Sequence, residues 1–128
     1  MSSDDRRIMV IDDEYDIVHI VRKHLESWGY SVDTFTDPMF AFQMFKENPD
    51  RYSIILTDIR MPEISGIALA TMMRKVKPDV KIVIMTAFEL EPEDLAMNLP
   101  TITRDNILKK PFSLLQVCEA VKNQLRRA

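Results

Sequence analysis

Four short apolar runs in this chain each stop at a polar residue able to do chemistry, and that repetition restricts the possible folds more than any other feature. Ile8-Met9-Val10-Ile11 runs into Asp12-Asp13, and Ser53-Ile54-Ile55-Leu56-Thr57 runs into Asp58. Lys81 to Met85 runs into Thr86, and Asn106 to Lys109 into Lys110. Runs of this length, apolar on both alternating faces, suit strands buried on both sides of a parallel sheet. Between them the apolar spacing becomes helical. Ile17, Val18, Ile20, Val21 and Leu25 form one face, with Gly29 where a C-terminal cap is expected. Ser31 to Thr36 alternates instead, which predicts a half-exposed edge strand.

Asp37-Pro38 has the cap-then-proline pattern that opens a helix, followed by Phe40, Ala41, Met44 and Phe45 on one face. After a loop from Pro62 to Gly66, Ile67, Leu69, Ala70, Met73 and Val76 predict a third helix. Glu91 to Asn98 is a weaker, short helical candidate. Ser113 caps a last helix carrying Leu114, Val117, Val121 and Leu125. Five strands alternating with helices predict a three-layer α/β domain built on a parallel sheet.

The 128 residues, 46% of them hydrophobic, form a single expected domain over 1–128 with no linker or internal repeat. The net charge of -3 gives no reason to expect nucleic acid as a direct partner. The first seven residues are polar and charged, and no apolar stretch is long enough to insert in a membrane. The single cysteine, Cys118, falls on the apolar face of the last helix and reads as core. A soluble cytoplasmic protein is the expectation. His19 and His24 read as solvated residues on the first helix, and the nine methionines as core filling.

In an open α/β sheet, ligands gather at the carboxyl ends of the strands. Asp12, Asp13, Asp58, Thr86 and Lys110 all belong there. Each has an ordinary reading alone: Asp12 or Asp13 as a helix cap, Asp58 as a turn residue, Thr86 as a strand-end hydroxyl, Lys110 as a solvated cation. Together they imply a site. Three carboxylates about 4 Å apart at an effective dielectric near 20 repel by roughly 4 kcal/mol per pair. A hard divalent cation with oxygen ligands offsets that repulsion, and Lys110 adds a second positive charge suited to a phosphoryl group.

With these residues placed, the sequence resembles the receiver domains of two-component response regulators, from about residue 6 to 125. The motifs are Val10-Ile11-Asp12-Asp13-Glu14, Asp58-Ile59-Arg60-Met61-Pro62 with Gly66, Thr86-Ala87, and Lys110-Pro111-Phe112. The resemblance implies a flavodoxin-like (βα)5 fold with strand order 2-1-3-4-5. It implies Asp58 as the phosphoacceptor. It implies Asp13 as a direct Mg²⁺ (or Mn²⁺) ligand, Asp12 as a carboxylate acting through metal-bound water, and the Arg60 carbonyl as a further ligand. Lys110 would pair with Asp58 and the phosphoryl oxygens, Thr86 would bond the phosphoryl group, and the Lys110-Pro111 bond would be cis. The implied partners are a histidine kinase or phosphotransfer protein and an unidentified downstream protein.

Two segments depart from the family. Ile107 stands where an aromatic residue is usual. The stretch from Phe88 to Asp105 carries Glu89, Glu91, Glu93 and Asp94 and two prolines, and predicts a short, displaced or mobile helix. Phe88, beside Thr86, is expected to shield the phosphate from water. A degenerate receiver that signals only by protein contact is the alternative. A haloacid-type phosphatase is the other, but it needs an aspartate two residues after the nucleophile, where this chain has Arg60.

Overall fold

The computed structural model describes residues 7–87, 89, 90, 92–95 and 99–127, with Asp94 described by its backbone alone. Strands β1 (Arg7–Ile11), β2 (Ser31–Phe35), β3 (Tyr52–Asp58), β4 (Lys81–Thr86) and β5 (Ile107–Lys109) form one sheet in the order β2-β1-β3-β4-β5. All neighbouring pairs are parallel. Helices α1 (Tyr15–Ser27), α2 (Pro38–Glu47), α3 (Gly66–Val76) and α4 (Leu114–Arg126) connect and cover it.

Alternation along each strand divides the core into two layers. Ile8, Val10, Ile54, Leu56, Val83 and Met85 pack with Val18, Val21 and Leu25 of α1 and with Val117, Cys118 and Val121 of α4. Met9, Ile11, Ile55, Ile82 and Ile84 face the other way, onto Ala41 and Phe45 of α2 and Leu69, Ala70 and Met73 of α3. The flavodoxin-like three-layer arrangement follows from this double burial. The central strands must be apolar on both faces, whereas β2, at the edge, keeps three half-exposed residues after Val32.

The punctuation behaves as its chemistry dictates. Asp37 caps α2, accepting from Met39 N–H at 3.0 Å, with Pro38 in the first turn. Ser113 and Gln116 form a reciprocal capping box at α4. Gly29 ends the α1 turn at a φ of 96°, a left-handed conformation that glycine adopts without a Cβ penalty.

The fourth helical candidate, Glu91 to Asn98, lies only partly within the described residues. Its described part is a 3-10 turn, Pro92–Leu95, and Leu99 N–H donates to the Leu95 carbonyl at 2.7 Å. Leu95, Leu99 and Ile102 are buried against the α2–α3 layer. Asn106, read from sequence as the start of β5, ends a second 3-10 turn instead. Its side chain bonds the Ile82 carbonyl at 2.7 Å and Gln124 Oε1 at 3.1 Å, which ties β4 to α4. The expectation for Phe88 lies outside the described residues.

Candidate functional site

The carboxyl ends of β1, β3, β4 and β5 meet at one edge of the sheet. Ile11 pairs with Thr57, Asp58 with Met85, and Thr86 with Lys109. That register sets Asp12, Asp58, Thr86 and Lys110 side by side at the tips of adjacent strands.

Asp12, Asp13 and Asp58 offer carboxylate oxygens that all lie within 4.8 Å of one another. Asp12 has no exposed surface, Asp58 keeps 8%, and Asp13 is exposed. At that separation and an effective dielectric near 20, each carboxylate pair repels by roughly 3.5 kcal/mol. Lys110 answers part of this, its Nζ lying 2.8 Å from Asp12 Oδ2 and 3.5 Å from Asp58 Oδ1. Glu14 Oε1 is 3.9 Å from the same ammonium. The cluster offers only carboxylate oxygens, one of them solvent-facing, which fits a hard divalent cation that keeps some of its waters.

The titration behaviour follows from this crowding. Burial pushes the Asp58 carboxyl above its ordinary range, Asp12 adds to that, and Lys110 and the Ile59 N–H oppose it. Burial alone would lower the Lys110 ammonium, but Asp12 and Asp58 outweigh it and its pKa rises. The pocket therefore favours a charged Lys110, whereas burial and Asp12 disfavour the ionised form of Asp58.

The helix-cap reading of the first acidic pair does not hold. Glu14 is the N-cap of α1, with no side-chain cap bond. Asp12 Oδ1 instead accepts from Glu14 N–H at 3.0 Å, which turns the chain and aims its other oxygen at Lys110. Thr86 is buried, and its carbonyl accepts from Lys110 N–H at 2.6 Å. Lys110-Pro111 is cis. Arg60 is exposed, two residues beyond Asp58.

Gly66 has a steric task at the start of α3. A Cβ there would meet the Asp58 carbonyl oxygen at 1.9 Å. Gly66 N–H also donates to the Ile59 carbonyl at 2.8 Å, so α3 starts directly against the loop that carries Asp58. A lone glycine at a helix start was the available signal.

The sequence model of the response regulator receiver domain matches residues 8–122. The chain belongs to this family. It is 32% identical over 120 residues to the response regulator receiver protein CpdR of Brucella abortus, covering 94% of this chain and 97% of that protein. It is equally similar to the response regulator SaeR of Staphylococcus aureus, of which it spans half the length. Among solved structures, a response regulator receiver protein from Sinorhizobium medicae superposes with a TM-score of 0.82 at 26% identity, over 97% of both chains. A receiver domain protein from Clostridium thermocellum gives 0.81 at 26% identity, over 95% of both. In this receiver domain the acidic cluster lies where the fold gathers ligands. Among the described residues no helix is long and apolar enough to cross a membrane.

Proposed function

We infer that this receiver domain, taken as one domain with a core from about 6 to 125, is a phosphoacceptor switch modified on Asp58. The observation that carries the reading is the triad of carboxylates within 4.8 Å, held against a single lysine at the strand tips. Asp12, Asp13 and Asp58, with the Arg60 carbonyl, would hold Mg²⁺ or Mn²⁺. When bound, the ion supplies charge neutralisation for phosphoryl and carboxylate oxygens.

Asp58 is the nucleophile. Ile59 N–H donates to its Oδ1, and Lys110 Nζ lies 3.5 Å from the same oxygen. An Asp58 oxygen attacks phosphorus in line, and the phosphorus–nitrogen bond to the donor imidazole breaks. Its electron pair stays on that nitrogen. Lys110 spreads the charge of the transferring group, so positioning and electrostatics do most of the work. The Thr86 hydroxyl bonds the phosphoryl group once it is attached, and water later hydrolyses the acyl phosphate.

The donor is a histidine kinase or phosphotransfer protein, and the modified state changes binding of a downstream protein. A single buried, unpaired cysteine suits a reducing compartment such as the cytoplasm. Beryllofluoride with Mg²⁺ tests the reading, because it occupies a receiver pocket as a stable phosphoryl mimic. Amide shifts at Asp58, Thr86 and Lys110 that require both reagents are expected. No shift at any concentration would favour a degenerate, phosphorylation-independent binding module.

A further inference from the structure

We propose that the amino end of the sheet carries an anion-binding site for a diphosphate group, free or borne on a small organic molecule. Two cavities adjoin there, of about 490 and 240 Å³, and Asp79 and Lys81 line both. The larger is also lined by Arg74 of α3, Thr101 and Arg127, and the smaller by Ser53 and Lys77. Arg74, Lys77 and Lys81 are half-buried, whereas Asp79, the one acid among the lining residues, is exposed. Asp105 pairs with Arg127 from outside the lining. The lining is therefore cationic in excess.

Two of these cations are held by neutral oxygens. Arg74 Nε donates to the Val80 carbonyl at 2.9 Å, and Nη1 donates to the Thr101 hydroxyl at 2.6 Å. Lys77 Nζ donates to the Tyr52 carbonyl at 2.9 Å. Neither residue forms an ion pair among the described residues. Burial pulls the Arg74 pKa below its ordinary range. A half-buried positive charge without a counter-ion is unfavourable, and an arriving anion offsets that cost. The helix dipole accounts for the sign of these residues but not for their aim. Both lie at the C-terminal end of α3, where cations are favoured. Their donors nonetheless leave that helix for Val80, Thr101 and Tyr52. Two bonds from different nitrogens fix the Arg74 guanidinium plane in advance, and a guanidinium fork matches phosphate oxygens.

Size and lining select the ligand class. The larger cavity falls within the range of about 300–1,000 Å³ usual for small-molecule sites. An acidic protein segment is a poorer occupant, because protein interfaces are anchored by large apolar or aromatic side chains. The exposed ones of this chain, Tyr15, Ile20, Trp28, Met39, Phe40 and Leu115, all lie outside both linings. The cations are also spread over both cavities, so a single phosphate engages only part of them. The site lies apart from the phosphoacceptor. Lys81 begins β4 and Thr86 ends it, about 17 Å away at the usual rise per residue.

Calorimetric titration of the whole chain with pyrophosphate and with ADP tests this, with a chelator present and amide chemical shifts to locate the binding. Saturable binding is expected, with shifts at Val80, Lys81 and Thr101. Tighter binding of ADP than of pyrophosphate assigns the site to an organic diphosphate, and the reverse order to the free ion. Inorganic phosphate should bind roughly tenfold more weakly than pyrophosphate, and Arg74→Gln should weaken pyrophosphate by a similar factor. Arg74 joins three segments, so Lys77→Gln is the second variant. It should weaken pyrophosphate by about threefold while the thermal midpoint stays within a few degrees. No saturable binding, shifts at Asp58 and Lys110 instead, or wild-type affinity in both variants would overturn the proposal. So would tighter binding of hexaglutamate at the same amides, which would mark an acidic protein segment as the occupant.

Discussion

Replacing Lys110 with methionine isolates the electrostatics of the acidic pocket from its chemistry. The ammonium lies 2.8 Å from Asp12 and 3.5 Å from Asp58, with 17% of the side chain exposed. At an effective dielectric near 20 those contacts are worth roughly 6 and 5 kcal/mol before hydration is counted. Rehydration of the ammonium in the unfolded chain offsets much of that. Removing one partner of a buried pair typically costs about 3–5 kcal/mol, and partial exposure puts Lys110→Met near the lower end, at about 3 kcal/mol. The pH dependence has a defined sign. The Asp58 carboxyl is already raised in the folded state, and Lys110 is among the groups holding it down. Without Lys110 it rises further. A folded-state pKa above the unfolded value gives stability that is complete below the unfolded pKa and lost as pH rises through the folded one. The deficit of Lys110→Met should therefore be small near pH 4 and reach its full size at pH 7. Urea unfolding with a chelator present is the assay. A slope of roughly 2 kcal/mol per molar moves the midpoint down by about 1.5 M at pH 7. Adding Mg²⁺ should recover part of the loss. A variant as stable as wild type at pH 7, or one with the same deficit at pH 4 and pH 7, would show that charge pairing does not govern this pocket.

Gly66→Ala places a Cβ against the Asp58 carbonyl and should cost about 1–3 kcal/mol by thermal melt, while also slowing modification of Asp58. Tyr52→Phe removes a hydroxyl donated to ionised Asp33 and should cost about 1.5–3 kcal/mol in urea unfolding. Burial first, then the bond to Asp33, raises the Tyr52 pKa, so wild type should lose stability as pH climbs above 10. Tyr52→Phe should lack that component of the alkaline decline. Ser113→Ala breaks the capping box of α4 and should cost about 1 kcal/mol, read as a lower thermal midpoint with unchanged Mg²⁺ affinity.

Most of the sheet was legible because burial on two faces forces a continuous apolar run, and its end is then visible as the first polar residue. Ile11 before Asp12 is such a boundary, and in β4 the first polar residue, Thr86, is the last of the strand. The edge position of β2 was legible from alternation alone. The 92–95 turn was legible only as a weak, short helical candidate, with Leu95 as its buried apolar contact. Gly66 and the Asp33–Arg7–Tyr52 set were not legible. Both depend on contacts between distant segments: an approach of α3 to β3 in one case, and a carboxylate on β2 reached from β1 and β3 in the other. Nothing in the residues next to Asp33 marks it as an ion-pair centre. The acidic pocket was visible because each contributor sits at a strand end, a position that periodicity locates.

In the proposed reaction Asp58 takes a phosphoryl group with help from a divalent cation. Intact mass spectrometry after incubation with acetyl phosphate tests it most directly, with and without Mg²⁺, for wild type and Asp58→Asn. A single added phosphoryl mass is predicted for wild type with Mg²⁺, and no addition without the ion or in Asp58→Asn. Equal modification of the two proteins, or none in wild type with Mg²⁺ present, would contradict the claim.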